Sequence, residues 1–319
     1  MSNNSRQDIF EKTSPFLQEL NRELNNVQVD KQAALFFDPI EYVLQLPGKR
    51  IRPLLVFLSA AALGQSMDKS RFAAAAVELL HNFTLVHDDI MDMDNMRRGF
   101  LTVHKKWDTG TAILAGDGLM GLAFLKLLQT EQGDVQRMAR RFTETMLVIC
   151  EGQGYDKMFE NSDSVTAAAY LDMIGRKTAV LLELSCELGA LTAEAGEEQT
   201  AALRSFGWEL GMGFQIQDDW LDIFGNEETL GKKVGSDLER KKQTILTLKL
   251  KEKHPEIDPF SLDLAGYRKI LTDSGLAAEI ENEFNGHFDL AYKKLDILPK
   301  NEASLLLREL TDFISKRTW

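Results

Sequence analysis

Residues 71–92 read RFAAAAVELLHNFTLVHDDIMD. Apolar residues recur at three- and four-residue steps (Ala73, Ala76, Leu80, Phe83), which is the period of a helix with one face buried. No Gly or Pro interrupts the run, and it ends in Asp88, Asp89 and Asp92. A second stretch, ALRSFGWELGMGFQIQDDWLDIF, ends the same way in Asp218, Asp219 and Asp222, 130 positions after the first. It is apolar on more than one face, which marks a helix near the middle of a bundle. Two D-D-x-x-D copies, each closing an apolar helical run, suggest one site split between two helices.

The surrounding chain extends this pattern. All seven prolines (15, 39, 47, 53, 255, 259, 299) lie outside residues 54–254, so two hundred residues run without the commonest helix breaker. Strand-like alternation is scarce, while TAAAYLDMIGRKTAVLLELSCELGAL again steps by three and four. The expected architecture is all-α: one large helical bundle, a single domain over residues 1–319. Loops are expected at GQSMDKS, EQGD, AEAGEEQ, NEETLGKKVGSDLERKKQT and KEKHPEIDPFSLD, where Gly, Pro and charge cluster.

Composition narrows the function. With 319 residues, 44% apolar, the chain can bury a large core. Its net charge of −12 lacks the electrostatic footprint of a nucleic-acid or anionic-lipid binder, so an anionic ligand must be captured locally. Cys150 and Cys186 both fall in apolar helical contexts and are expected as buried, unpaired thiols. The N-terminus lacks a secretory layout, and no integral membrane segment is expected, so the reading is cytoplasmic.

On a helix, Asp88 and Asp92 project about 40° apart with Asp89 on the adjacent flank, so each triplet crowds three carboxylates into roughly a third of the circumference. Such repulsion calls for a cation or for protonation. An all-oxygen cluster suits Mg²⁺, which binds through one or two carboxylates and completes its shell with water and phosphate oxygens. The five His and two Cys show no zinc spacing. A single acidic triplet is often only a solvated face; two with apolar flanks argue for metal. Asp94 is expected to point away and be solvated.

Cations to meet a phosphate cluster at few points. In GKRIRP, Lys49, Arg50 and Arg52 gather where Pro53 should open the next helix, and helix N-termini favour phosphate. Arg97 and Arg98 follow the first triplet and can fork onto phosphate oxygens. Lys177 with Thr178, Lys232 and Lys242 are further candidates.

Taken in order, GKRIRP, ELLHNFTLVHDDIMDMDNMRRG, TVH, LAGD, EGQGYD, GRKTA, FQIQDDWLDIFG and GKKVGSDL resemble the trans-isoprenyl diphosphate synthases over roughly residues 40 to 245. The resemblance implies an all-α fold with a central substrate cavity and head-to-tail condensation of isopentenyl diphosphate with an allylic diphosphate. It implies that Asp88, Asp89, Asp92, Asp218, Asp219 and Asp222 bind about three Mg²⁺. Arg97, Lys177, Lys232 and Lys242 would contact the allylic diphosphate; Lys49, Arg52, His81 and Arg98 would bind isopentenyl diphosphate. Thr178 and Gln215 would line the reacting carbons, while Gln153 and Asp156 would support the metal and its water. A homodimer is expected on the same ground. Two departures stand out: Pro47 and Lys241 occupy positions where the family often has Gly.

Chain length should be read on the helix above Asp88, where Thr84 lies one turn back and Phe83 beside it. In the family an aromatic at the Phe83 position resembles short-chain synthases, so the expected product is geranylgeranyl diphosphate (C20), with farnesyl diphosphate (C15) as the alternative. An inactive partner subunit would be expected to have lost metal carboxylates, and both triplets are intact. The last seventy or so residues carry no motif.

Overall fold

The computed structural model describes residues 3–27, 33–160, 162, 164–227 and 234–316. Among these residues the fold is all-α, as expected; the one sheet is a two-stranded hairpin, β1 (Met96–Arg97) and β2 (Phe100–Leu101). The helices are α1 (Asn3–Asn25), α2 (Ala34–Gln45), α3 (Ile51–Ala62), α4 (Met67–Met91), α5 (Val103–Lys106), α6 (Thr109–Leu127), α7 (Val135–Phe159), α8 (Ala167–Ile174), α9 (Val180–Thr192) and α10 (Glu197–Phe224). They continue as α11 (Ser236–Glu239), α12 (Ile245–Lys253), α13 (Leu264–Asp273), α14 (Leu276–Lys294) and α15 (Glu302–Ser315).

Helix starts follow local chemistry. The Asp108 carboxylate accepts from Thr111 N at 2.9 Å to open α6, and Asp134 accepts from Arg137 N at 2.9 Å to open α7. Asn301 and Ser304 form a reciprocal capping box at α15. Two of the prolines, Pro15 and Pro39, sit inside α1 and α2 rather than outside helices.

The core hangs on α9, in which every residue but Glu183 is buried. Leu182, Cys186 and Ala190, at four-residue steps, pack into one apolar cluster with α3, α10 and the C-terminal helices. Leu181, Leu184, Leu188 and Leu191 face the opposite cluster, built with α4, α6 and α7. Each buried leucine removes apolar surface from water for about 1.5–3 kcal/mol, so this helix joins the two halves of the bundle. Around it, α4 packs on α6 and α10 on α14, which leaves the C-terminal ends of α4 and α10 facing a common cavity.

Two expectations change. Cys186 is buried, but Cys150 is exposed on the side of α7 that lines the cavity; both are free. Asp94 is not turned outward: it lines the cavity with Arg240 Nη1 at 3.5 Å. Helix α6 is long and apolar enough to cross a membrane, but it carries Asp117 and Lys126 and half of it is buried in the bundle, as in an ordinary core helix.

Candidate active site

The first D-D-x-x-D lies in the last turn of α4, with Asp92 as its C-cap. Carbonyl dipoles make a helix C-terminus partly negative, so carboxylates there are opposed by the backbone as well as by one another. At Asp88, burial and then Asp92 raise the pKa even though Lys177 Nζ stands 3.2 Å away.

The triplets do not crowd as helical geometry alone suggests. Asp88, Asp92 and Asp218 line a cavity of about 680 Å³. Asp89 turns from it and accepts from Arg97 Nε at 2.6 Å; burial pushes its pKa up to about 6 despite that arginine. Asp219, 4% exposed, accepts from Tyr170 Oη at 2.6 Å, and burial pushes its pKa up to about 7. Asp222 accepts from Ser236 Oγ at 2.7 Å and from Asp237 N at 3.0 Å. So one residue of the second triplet and two of the first face the open space, and the others are hydrogen-bonded to neighbouring groups.

Among the described residues, no three acidic, His or Cys side chains come close enough to enclose a cation unaided. That matches an ion held by a carboxylate or two, with ligand oxygens completing its shell, and the oxygen-only donor set suits Mg²⁺. Of the three facing carboxylates, Asp88 has its pKa raised by burial and then by Asp92, and a cation beside it would favour its charged form.

Cations approach from the opposite wall. GRKTA forms a π-helical turn, Gly175–Ala179, between α8 and α9. Such wide turns often mark functional sites, and they set consecutive side chains closer than the about 100° of an α-helix. Both Lys177 and Thr178 therefore face the cavity. Lys177 Nζ donates to Asp156 at 2.6 Å, and Thr178 Oγ1 donates to Gln215 Oε1 at 3.2 Å. Gly152 lets α7 approach: a Cβ there would sit 2.6 Å from Lys177 N. Asp156 carries opposing influences: burial raises its pKa, but Lys177 and Lys242 outweigh that and hold it below the usual carboxylate range. Lys242 reaches into the open cavity; burial works against its charge, yet Asp156, Asp237, Asp219 and Asp92 together raise its pKa.

A second cavity of about 720 Å³ adjoins the first. Lys49, Arg52, His81 and Arg98 line it, and Arg52, His81 and Phe214 border both spaces. Arg52 Nη1 lies 3.2 Å from His81 Nε2. Burial, with Arg98 adding to it, lowers the arginine's pKa to about 10; burial and then Arg52 hold the imidazole well below its usual pKa, so it is neutral. Arg52 Nε and His81 Nδ1 are buried without a protein partner, as are both amide atoms of Gln153 beside the first cavity. Buried polar atoms are rarely left unmatched, so these are ready to meet a polar ligand or water.

Arg50, the third base of GKRIRP, does a different job. It pairs with buried Glu78 and donates to Leu44 O at 2.8 Å, pinning the loop. At Gly48 a Cβ would meet the Arg98 guanidinium, the far end of a flexible side chain that would have to shift. Arg98 also donates to Pro47 O at 2.8 Å, so the unusual proline still serves as an acceptor. Lys241 takes φ 55°, the left-handed region in which glycine is at ease.

Of the residues singled out by sequence, Lys232 lies outside the described residues. Phe83 and Thr84 both line the first cavity; Phe83 is 7% exposed and packs edge-on to His87 at 4.9 Å. Sequence reasoning passed over Lys157, which donates to Asp92 Oδ1 at 3.3 Å, and Tyr170, seven residues before Lys177 in the same run. It also missed Phe214, although that residue precedes Gln215 in a motif already noted.

The comparisons agree with this geometry. The family model described as polyprenyl synthetase matches residues 33–269. A geranylgeranyl diphosphate synthase of Methanosarcina mazei is 38% identical, covering 87% of this chain and 88% of its own. A geranylfarnesyl diphosphate synthase of Natronomonas pharaonis is 35% identical, covering 93% and 96%. Among solved structures, the geranylgeranyl pyrophosphate synthetase from Pyrococcus horikoshii superimposes with a TM-score of 0.93 at 32% identity, over 98% of this chain and 99% of that one. With two adjoining cation-lined cavities on an all-α frame, and a match over most of its length, the chain belongs to the polyprenyl synthetase family.

Proposed function

We propose that the chain, as one catalytic domain, condenses isopentenyl diphosphate head to tail with allylic diphosphates, chiefly to geranylgeranyl diphosphate. The observation that carries this reading is the pair of cavities meeting at Arg52, His81 and Phe214. One cavity would hold the allylic diphosphate and the other isopentenyl diphosphate, with the reacting carbons at the shared wall. A prenyl cyclase, which takes one diphosphate, has no use for the second basic chamber.

The chemical difficulty is charge. As the allylic C–O bond breaks, the departing diphosphate gains negative charge, and Lys177, Lys242 and Arg97 meet it electrostatically. Asp88, Asp92 and Asp218 would hold Mg²⁺ there; when bound, it acts as a Lewis acid on the diphosphate. Asp89, Asp219 and Asp222 are instead held by Arg97, Tyr170 and Ser236. On the cation side, Gln215 Oε1 and the Thr178 hydroxyl offer negative dipole ends beside the allylic carbons. The buried apolar wall of α4 keeps water from competing with the isopentenyl double bond, whose attack on the allylic carbon is followed by loss of a proton to the departed diphosphate.

Phe83 would close the tail space at C20. The relatives include geranylgeranyl and geranylfarnesyl diphosphate synthases, and the Phe83 ring in the cavity lining is what supports a C20 stop for this chain. A homodimer is supported by an exposed apolar stripe on α6 formed by Ile113, Leu114, Leu125 and, just beyond its end, Leu128. A monomer mass by sedimentation equilibrium would refute that part. Purified protein with Mg²⁺, labelled isopentenyl diphosphate and C5, C10 or C15 allylic partners tests the reaction. The expected product is C20, and no incorporation with any partner overturns the reading.

A further inference from the structure

The second chamber is closed by the two ends of the chain. Phe10 of α1 and Phe313 and Ile314 of α15 line it, opposite Lys49 and Arg98. Phe10 and Phe313 meet edge to face at 5.3 Å. Lys49 Nζ lies 5.8 Å from the centre of the Phe313 ring, within reach of a cation–π contact. One turn before Phe313, Glu309 accepts from Lys12 Nζ at 3.0 Å, tying α15 to α1 at the surface. Neither helix bears a motif residue, yet together they supply the apolar side of a chamber whose other side is basic.

We infer that Phe313, backed by Phe10, is a positioning and specificity residue for the second diphosphate substrate: it sets the Lys49 ammonium toward the chamber and walls off the substrate's short hydrocarbon from water. The inference rests on the proposed condensation. It goes further by assigning a role to the helix that sequence motifs leave blank. The chemistry is that of an amphipathic ligand, a diphosphate against Lys49, Arg52 and Arg98 and a small apolar group against the rings. Phe313 touches Lys49 and the chamber but not the allylic cavity, so its loss should separate the two substrates.

The test compares wild type with Phe313→Ala, Phe313→Tyr and Phe10→Ala, by steady-state kinetics and by calorimetric titration of isopentenyl diphosphate. For Phe313→Ala the KM for isopentenyl diphosphate should rise about tenfold, equivalent to about 1.4 kcal/mol. The KM for the allylic substrate should stay within about twofold. More allylic alcohol should form per condensation, because water now reaches the cation. Phe313→Tyr keeps the ring and should restore the wild-type KM, and Phe10→Ala should act in the same direction as Phe313→Ala but less. A wild type that binds and incorporates isopentenyl diphosphate, beside a folded Phe313→Ala protein that binds it as tightly, overturns this inference alone. If Phe313→Ala does not fold, Phe10→Ala decides, and an unchanged KM there counts against it equally. A wild type that neither binds nor incorporates isopentenyl diphosphate overturns the proposed reaction and this role with it.

Discussion

Replacing Phe83 by alanine should lengthen the product by about one five-carbon unit. Phe83 lies five residues before Asp88, about 7.5 Å down α4 at 1.5 Å per residue, and its ring borders the cavity in which Thr84 and Asp88 also stand. The His87 imidazole, one turn back toward Asp88, stands 4.9 Å from it, ring centre to ring centre. Deleting the ring opens a gap of that order. One isoprene unit adds four backbone bonds of about 1.5 Å, roughly 5 Å when zigzagged, so one more unit fits and a second would meet the next turn. A buried Phe→Ala change costs about 3–5 kcal/mol. Because one side of this ring faces an open cavity and not packed atoms, the lower figure applies, and a domain stable by about 5–15 kcal/mol tolerates it. The assay is radiolabelled chain extension from a C15 partner with isopentenyl diphosphate in excess, the products being dephosphorylated and sized. The expected main product moves from C20 to C25. A folded variant that still stops at C20 would show that the ring is only core packing.

The remaining predictions concern charge and backbone. Asp88→Asn and Asp218→Asn should each lower kcat by about 10²–10³ at saturating Mg²⁺, whereas Asp89→Asn, whose partner is Arg97, should cost clearly less; equal losses would refute the distinction drawn from orientation. Lys241→Gly should raise stability by about 0.5–1 kcal/mol in denaturant titration, because Lys241 holds φ 55°, and a lowered midpoint would contradict that. His81 stays neutral when folded but takes up a proton near pH 6.5 when unfolded, so the unfolded state binds more protons below that pH. Stability should be full above pH 6.5 and fall by up to about 1.4 kcal/mol per pH unit below it; His81→Gln should flatten that slope, and an identical slope would rule out this histidine as its source.

Helix period and the absence of proline made the bundle readable, and paired acidic motifs after apolar runs located the cavity. What the spacing could not convey is which carboxylate faces inward. Asp89 sits one residue from Asp88, yet Arg97, brought back by the hairpin after α4, captures it. Asp219 is turned by Tyr170, from a helix about fifty positions earlier in the chain. One orientation is fixed by a hairpin eight residues on, the other by a partner 49 positions away. The π turn at GRKTA was equally hidden, since nothing in its composition separates it from an α-helix. Cys150 and Asp94 were misjudged for a related reason: a helix face that looks like core, or like solvent, is redefined when a cavity opens against it. The Lys241 departure was visible in the sequence; its cost became clear only from the left-handed backbone.

The wall of Arg52, His81 and Phe214 between the two chambers separates two quantities that a polymerising enzyme must control. Under the proposed reaction, each round would empty the second chamber and lengthen the occupant of the first. How fast monomer is refilled would then be decided on one side of the wall, by Lys49 and its neighbours, and when growth stops on the other, beneath Asp88. Changes to the stopping point can accumulate on α4 without disturbing monomer affinity, so a single scaffold can be retuned to a new chain length while its feeding rate stays as it was.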